Sequence, residues 1–357
     1  MTTTKDDSAA LKTNPLDTLL LKDYHPHSNL VTPVTKIRGA KFPAFDAHCH
    51  GIRHGIGGKP TPEEIDHWAE LLVELNVKKS VVLTGAVGDE FKEQVDLYSK
   101  HPDMFDLWCG LAVGNLKIPK RDIPERMTKE LENCVVAGAK GVGELGDKGD
   151  GCWGGKATTC GIHYNDPRFD MVFAKCAELG IPVSLHMGDP VWTYQKIDGV
   201  NEALFKALRY STYGTGLPGW EEISRWRDEV LHRNPRTTFI LCHLANMEHD
   251  LASVGKLLDA FPNAYADISA RFRDLARQPR FAKAFIVKYQ DRLTYGTDQV
   301  VNKDMYLGTF RILETADEYF TPMDGRELLW MAYGLDLPDN VLKKLYYEVA
   351  EKIMSRR

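Results

Sequence analysis

The sequence predicts an α/β fold, a (β/α)8 TIM barrel with an N-terminal arm and a C-terminal helical extension. Three observations predict it. Short β-branched or apolar runs alternate with amphipathic stretches, the pattern of repeated βα units around a parallel sheet. There are eight such runs, each followed by a helical pattern. The length, 357 residues, suits one barrel with extensions. An open doubly wound sheet would instead place a Gly-rich phosphate loop after its first strand. The segment after "PAFDAH" carries histidines, and "GAVGDE" after the second run has too few glycines.

The strands are expected at 43–48, 79–84, 107–113, 139–145, 181–186, 237–243, 264–269 and 292–297. Between them, "TPEEIDHWAELLVELN" opens with Thr61, Pro62 and early glutamates, a helix start. "DPRFDMVFAKCAELG" begins at an Asp-Pro and stops at Gly180, a C-terminal glycine. The stretches "GWEEISRWRDEVLHRNP", "DLASVGKLLDAFP" and "PRFAKAFIVKYQ" follow the same logic. Helices beyond about residue 325 form an appendix. Residues 1–40 are polar, turn-rich and without period, an arm that packs on the barrel of residues 41–357 or on a neighbouring subunit of a homo-oligomer. Two connections are long, 146–166 and 187–220, and both fall on the C-terminal rim where barrel active sites sit. Trp192, Tyr194, Tyr210, Tyr213 and Trp220 lie in or near the second. Rim packing and substrate contact weigh equally for each, and Trp192 is taken as a substrate contact.

Composition narrows the function. Hydrophobic residues make up 43%, ample for a core, and the formal charge is -5 from 45 basic and 50 acidic residues. Without basic blocks, binding to nucleic acid or an anionic membrane has no electrostatic support. The seven cysteines are scattered with no CxxC pair, which suits reduced thiols rather than a disulfide framework. The first residues are no secretory signal, and no apolar run approaches the ~20 residues of a membrane span. The expectation is a soluble, cytoplasmic chain acting on a small molecule.

Chemistry concentrates where the strands end. Strand residues alternate faces, so in "FDAHCH" Asp46, His48 and His50 point one way while Ala47 and Cys49 point the other. Two imidazoles at i and i+2 stand roughly 6.5–7 Å apart at Cα, close enough to converge on one ion. Cys49 does not share their direction, and no second Cys or His pair follows at short spacing, so a structural zinc clip is disfavoured. Glu144 closes the fourth strand, His186 the fifth, His243 the sixth and Asp298 the eighth. A lone histidine after an apolar strand is more often a satisfied core residue. Four strand ends with His or acid, beside an H-x-H at the first, make coincidence the weaker explanation.

This ordered set resembles the amidohydrolase superfamily from about residue 43 to residue 300. "YADISARF" and "DRLTYGTD" are similar to its amidohydrolase-2 branch, which includes hydrolases and non-oxidative decarboxylases such as aminocarboxymuconate-semialdehyde decarboxylase. The resemblance implies that His48, His50, His186 and Asp298 ligate a divalent ion. It makes His243 a second-metal ligand or a general acid/base. Imidazole and carboxylate suit Zn2+ first, with Mn2+ or Fe2+ as alternatives, at one or two ions per chain. Many two-metal relatives carry a modified lysine on strand four, where this chain has Glu144. That residue is then a metal bridge, a partner orienting a ligand histidine, or a substrate contact. Arg271, and less so Arg53, can grip a substrate carboxylate with a guanidinium fork. His54, His163 and His249 are left as surface or loop histidines.

The leading expectation is a hydrolase of a small polar, possibly carboxylated substrate. It would use a metal-activated water, with Asp298 accepting the proton. The alternative is a carboxy-lyase on the same ligands, or a related lyase. A non-catalytic binding protein would lack ligands, and here the set is complete.

Overall fold

The computed structural model describes residues 14–52, 57–111, 113, 122–153, 161–298, 301–321 and 330–355. The chain divides into two compact units, Met1–Pro33 and Val34–Arg357. In the first, the helix Pro15–Thr18 is capped by Asn14, whose side chain accepts from Leu16 N–H, and none of its residues is buried.

The second unit is the barrel. Its strands are β1 (Ala44–Asp46), β2 (Val77–Leu83), β3 (Phe105–Trp108), β4 (Val142–Asp147), β5 (Cys152–Trp153), β6 (Val183–Met187), β7 (Phe239–Leu241), β8 (Ala264–Asp267) and β9 (Leu293–Thr294). The parallel ladders run β1-β2-β3 and β4-β6-β7-β8-β9. A parallel bridge from Cys109 to Val142 joins β3 to β4. Beyond the short β9 ladder, Ala47 N–H donates to the Tyr295 carbonyl at 2.9 Å and Thr297 N–H to the His48 carbonyl at 3.0 Å. These bonds complete the ring, so the eight expected strand positions form a (β/α)8 barrel. β5 was not expected. It pairs antiparallel with β4 as a short rim hairpin.

Two packed layers follow from strand alternation. Phe45, Ala47, Val81, Leu83, Trp108, Ile240 and Tyr265 fill the interior. Ala44, Val82, Phe239, Leu241, Ala264 and Ala266 face outward into the larger core shared with the helices. Those helices form for the expected reasons. Pro62–Glu74 starts with a capping box between Thr61 and Glu64 and buries Ile65, Trp68, Ala69 and Leu72. Leu251–Ala260 is capped by Asp250, whose side chain accepts from Ser253 N–H.

The C-terminal appendix is structural. Segment Lys344–Glu348 buries Leu345 and Tyr346, and the Leu345 carbonyl accepts from Tyr295 N–H at 2.9 Å. Val349, Ala350 and Ile353 of the following helix join the interior cluster. The barrel is thus plugged by the last turns of the chain. Among the described residues no helix is long and apolar enough to cross a membrane.

Candidate metal centre

Strand ends bring the expected ligand-type residues together. His48 and His50 lie just past β1, Glu144 within β4, His186 within β6, His243 just past β7 and Asp298 past β9. The β4–β6 register shifts between Val142 and Leu145, and such a bulge re-aims a side chain. Glu144 there points into the cluster. His50 Nε2 lies 3.2 Å from Asp298 Oδ1 and 3.4 Å from Glu144 Oε2. His48 Nε2 lies 3.4 Å from Asp298 Oδ1. His243 Nε2 lies 3.4 Å from Glu144 Oε1 and 3.5 Å from Asp298 Oδ2. His186 Nδ1 meets Glu144 Oε1 at 2.5 Å. The rings crowd too, with His48 and His186 centroids 4.9 and 4.8 Å from that of His243.

Cys49 stands apart, buried in the outer core, but not through the expected alternation: Ala47 lies in the interior cluster, because β1 ends at Asp46 and the period of two does not continue past it. Arg271 and Trp192 line the same cavity as the cluster. Arg53 lies outside the described residues, as does part of the 146–166 connection.

Several residues of the site gave no signal that was used. Asp267, at the end of β8, is fully buried and serves two histidines. Its Oδ2 is 2.9 Å from His48 Nδ1, while Oδ1 accepts from His243 N–H at 2.9 Å. Ser269 Oγ donates to Asp267 Oδ1 and sits 2.8 Å from His243 Nδ1. The single O–H of that hydroxyl is directed at Asp267, so its oxygen accepts from His243 Nδ1–H and leaves Nε2 facing the cluster. Asp267 is itself an acid at a strand end, the same signal that marked Asp298. Lys148 and Asp189 also line the cavity and pair at 2.9 Å. His163 is no idle loop residue: its Nδ1 meets Asp147 at 3.0 Å and its ring lies 4.2 Å from that of Trp226.

The electrostatics suit a cation. Burial opposes ionisation of Glu144, but His186, His243 and His50 outweigh it and hold the carboxyl well below its usual range. Burial likewise opposes ionisation of Asp298, which His243, His48 and His50 hold well below the carboxylate range. Burial pulls His50 down, yet the same two carboxylates bring it up to about 9. His243 moves the other way, lowered by burial, with Asp298 and Glu144 insufficient to reverse it.

The donor set fits a divalent ion. His48, Glu144 and His243 offer ligand atoms within 4.8 Å of one another, and so do His48, His50 and Asp298. Nε2 of both His48 and His186 is buried without a hydrogen-bond partner. Such an orphaned imidazole nitrogen, with the other nitrogen of the ring held by a carboxylate, is what a ligand histidine requires.

The cavity over this cluster encloses about 510 Å³. Besides the cluster its lining carries Lys206, Arg271, Arg273 and the Lys148–Asp189 pair, and Trp153, Trp192 and Tyr210 give flat apolar surface.

Comparison with known proteins agrees. The family model described as Amidohydrolase (Amidohydro_2) matches residues 45–354. The chain belongs to this amidohydrolase family, and its (β/α)8 barrel is the family's fold. A Staphylococcus aureus protein described as an amidohydrolase superposes with a TM-score of 0.53 at 16% identity, covering 87% of this chain and 98% of its own. A dihydroxybenzoic acid decarboxylase from Polaromonas sp. JS666, with bound manganese and the inhibitor 2-nitroresorcinol, gives 0.52 at 14% identity, covering 89% and 97%. A 2,6-dihydroxybenzoate decarboxylase complexed with 2,6-dihydroxybenzoate gives 0.50 at 15% identity, covering 89% and 98%. At these identities the likeness speaks to the fold.

Proposed function

We propose that the chain is a metal-dependent carboxy-lyase acting on a small, planar carboxylate. The observation that carries this reading is the lining of one cavity, which combines the imidazole–carboxylate cluster with Arg271, Arg273, Lys206 and an Asp189-paired Lys148 beside flat aromatic surface. Cationic side chains in the same cavity as an ion site suit an anionic substrate. Two of the structural relatives act on dihydroxybenzoates, which favours decarboxylation over the hydrolysis expected first.

In this reading His48, His50, His186 and Asp298 hold the ion. When bound, it supplies Lewis acidity toward a substrate oxygen. Both Zn2+ and Mn2+ suit these ligands. Arg271 receives the substrate carboxylate, and Trp192 and Trp153 cover its plane. The bond from substrate carbon to carboxylate breaks with the electron pair left on carbon, and CO2 departs. His243 takes up a proton from solvent at Nε2 and delivers it to that carbon. Burial lowers its pKa, so the ring rests neutral and gives up an acquired proton readily, and Ser269 holds its other nitrogen.

A second reading keeps the hydrolase. Glu144 sits between His50, His186 and His243, where it can bridge two ions, and a two-metal site favours attack by water. One experiment separates them. The Mn2+- or Zn2+-loaded chain is offered hydroxybenzoates and unsaturated acids in D2O, alongside esters and amides of them, with ions per chain counted by elemental analysis. One ion, CO2 release and deuterium at the vacated carbon support the lyase. Two ions and cleavage only of esters or amides support the hydrolase.

A further inference from the structure

The chain leaves β7 in an unusual way. His243, Leu244, Ala245 and Asn246 all have positive φ, at 59, 56, 57 and 55°. A run of four L-residues in the left-handed region is strained by the close approach of each Cβ to a carbonyl oxygen, and no glycine relieves it here. Something must hold it. At one end His243 N–H donates to Asp267. At the other, Asn246 is 1% exposed and its side chain is engaged at both atoms. Its Nδ2 donates to the Gly188 carbonyl, beyond β6, at 2.9 Å, and its Oδ1 accepts from Arg271 Nη2, beyond β8.

Arg271 is held on its other edges as well. Nη1 donates to the Ala270 carbonyl at 3.3 Å, and Nε lies 3.2 Å from Glu248 Oε2. Glu248 is 3% exposed, and neither Nε nor Oε2 completes a hydrogen bond. The neutral Asn246 oxygen therefore makes the directed contact that orients the guanidinium plane, while Glu248 supplies charge without direction.

We propose that Asn246 is a positioning residue that fixes Arg271 as the receptor for the substrate carboxylate, through a left-handed turn that sets His243 in the same rigid segment. The inference rests on the reading of Arg271 given above. It adds that carboxylate affinity and proton placement are both set by residues 243–246, which touch three consecutive strand ends. Asparagine suits the position twice, since it tolerates left-handed backbone and offers an acceptor to Arg271.

Substitution separates those two roles. Asn246→Gly keeps the backbone conformation at no steric cost and removes both side-chain bonds. Asn246→Asp keeps an acceptor for Arg271 and loses the bond to Gly188. The readouts are benzoate binding to the Mn2+-loaded chain by calorimetry, ions per chain, and the thermal midpoint. Losing a hydrogen bond to a charged group predicts about a tenfold or larger rise in benzoate Kd for Asn246→Gly. Ion content stays unchanged and Asn246→Asp recovers most of the affinity. Arg271→Ala is the control. If it leaves benzoate binding unaltered, the carboxylate role of Arg271 falls and this proposal with it. If Arg271→Ala weakens binding while Asn246→Gly binds as the unaltered chain does, Asn246 is only a turn former. That outcome overturns this proposal and leaves the Arg271 reading standing.

Discussion

Asp267 shows how one buried carboxylate organises a centre it does not enter. It orients His48 through Nδ1 and His243 through backbone and Ser269. Asp267→Asn keeps the size of the group but gives one of these donors a competing N–H. We expect ion affinity to fall about 10–100-fold, measured by competition with a chromogenic chelator, and turnover to fall further because His243 loses its register. His243→Asn should instead keep the ion and lose turnover by about 100-fold or more, checked by elemental analysis beside the CO2 assay. The candidate ligands were legible as a group because each is an imidazole or carboxylate at or near the end of an apolar run. Asn246, Ser269 and Lys148 were not. Their importance comes from which strand ends become neighbours in space, and chain order alone does not weight those pairs.

Strands and turns carry their own lessons. β7 stops at Leu241, two residues before its expected end, because the backbone enters the left-handed turn at His243. "CHLAN" contains no glycine to announce it. β9 is likewise short, yet Thr297 is secured: Asp46 accepts from its N–H at 3.0 Å and its hydroxyl at 2.7 Å, and from Tyr306 OH at 2.9 Å. Burial lifts the Asp46 carboxyl from 3.8 to about 6 despite these donors. The folded chain therefore holds a proton that the unfolded chain releases across that interval. The sign follows: this group's stabilisation is complete below pH 3.8 and is lost as pH rises to about 6. Asp46→Asn should remove that part of the slope, seen as a changed dependence of the thermal midpoint on pH in metal-free protein. On β4, a Cβ at Gly146 would lie 1.9 Å from Trp153 Cζ2. Gly146→Ala should cost ~1–3 kcal/mol by overpacking, measured by urea unfolding, and should displace a cavity wall.

The barrel as a unit was readable from eight apolar runs with helical patterns between them, since period and punctuation alone fix that architecture. The role of the tail was not. Its helices read as an appendix, because amphipathic pattern tells that a face is buried and not against what. Ile353 lies 1% exposed against the interior cluster, and Ile353→Ala should cost about 3 kcal/mol, again by urea unfolding.

That plug has a consequence for how the chain comes into being. Phe45 and Ala47 share their cluster with Val349, Ala350 and Ile353, so the side chains of the first strand wait for residues made long after them. During synthesis the βα units can pair one after another and the backbone bonds of Ala47 and His48 to residues 295 and 297 can close the ring, but the interior around Phe45 and Ala47 stays uncovered until residues 349–353 emerge. Contacts of such long sequence separation slow folding. A ribosome stalled before residue 345 would hold a nearly whole barrel whose interior beside Phe45 and Ala47 is still open to water.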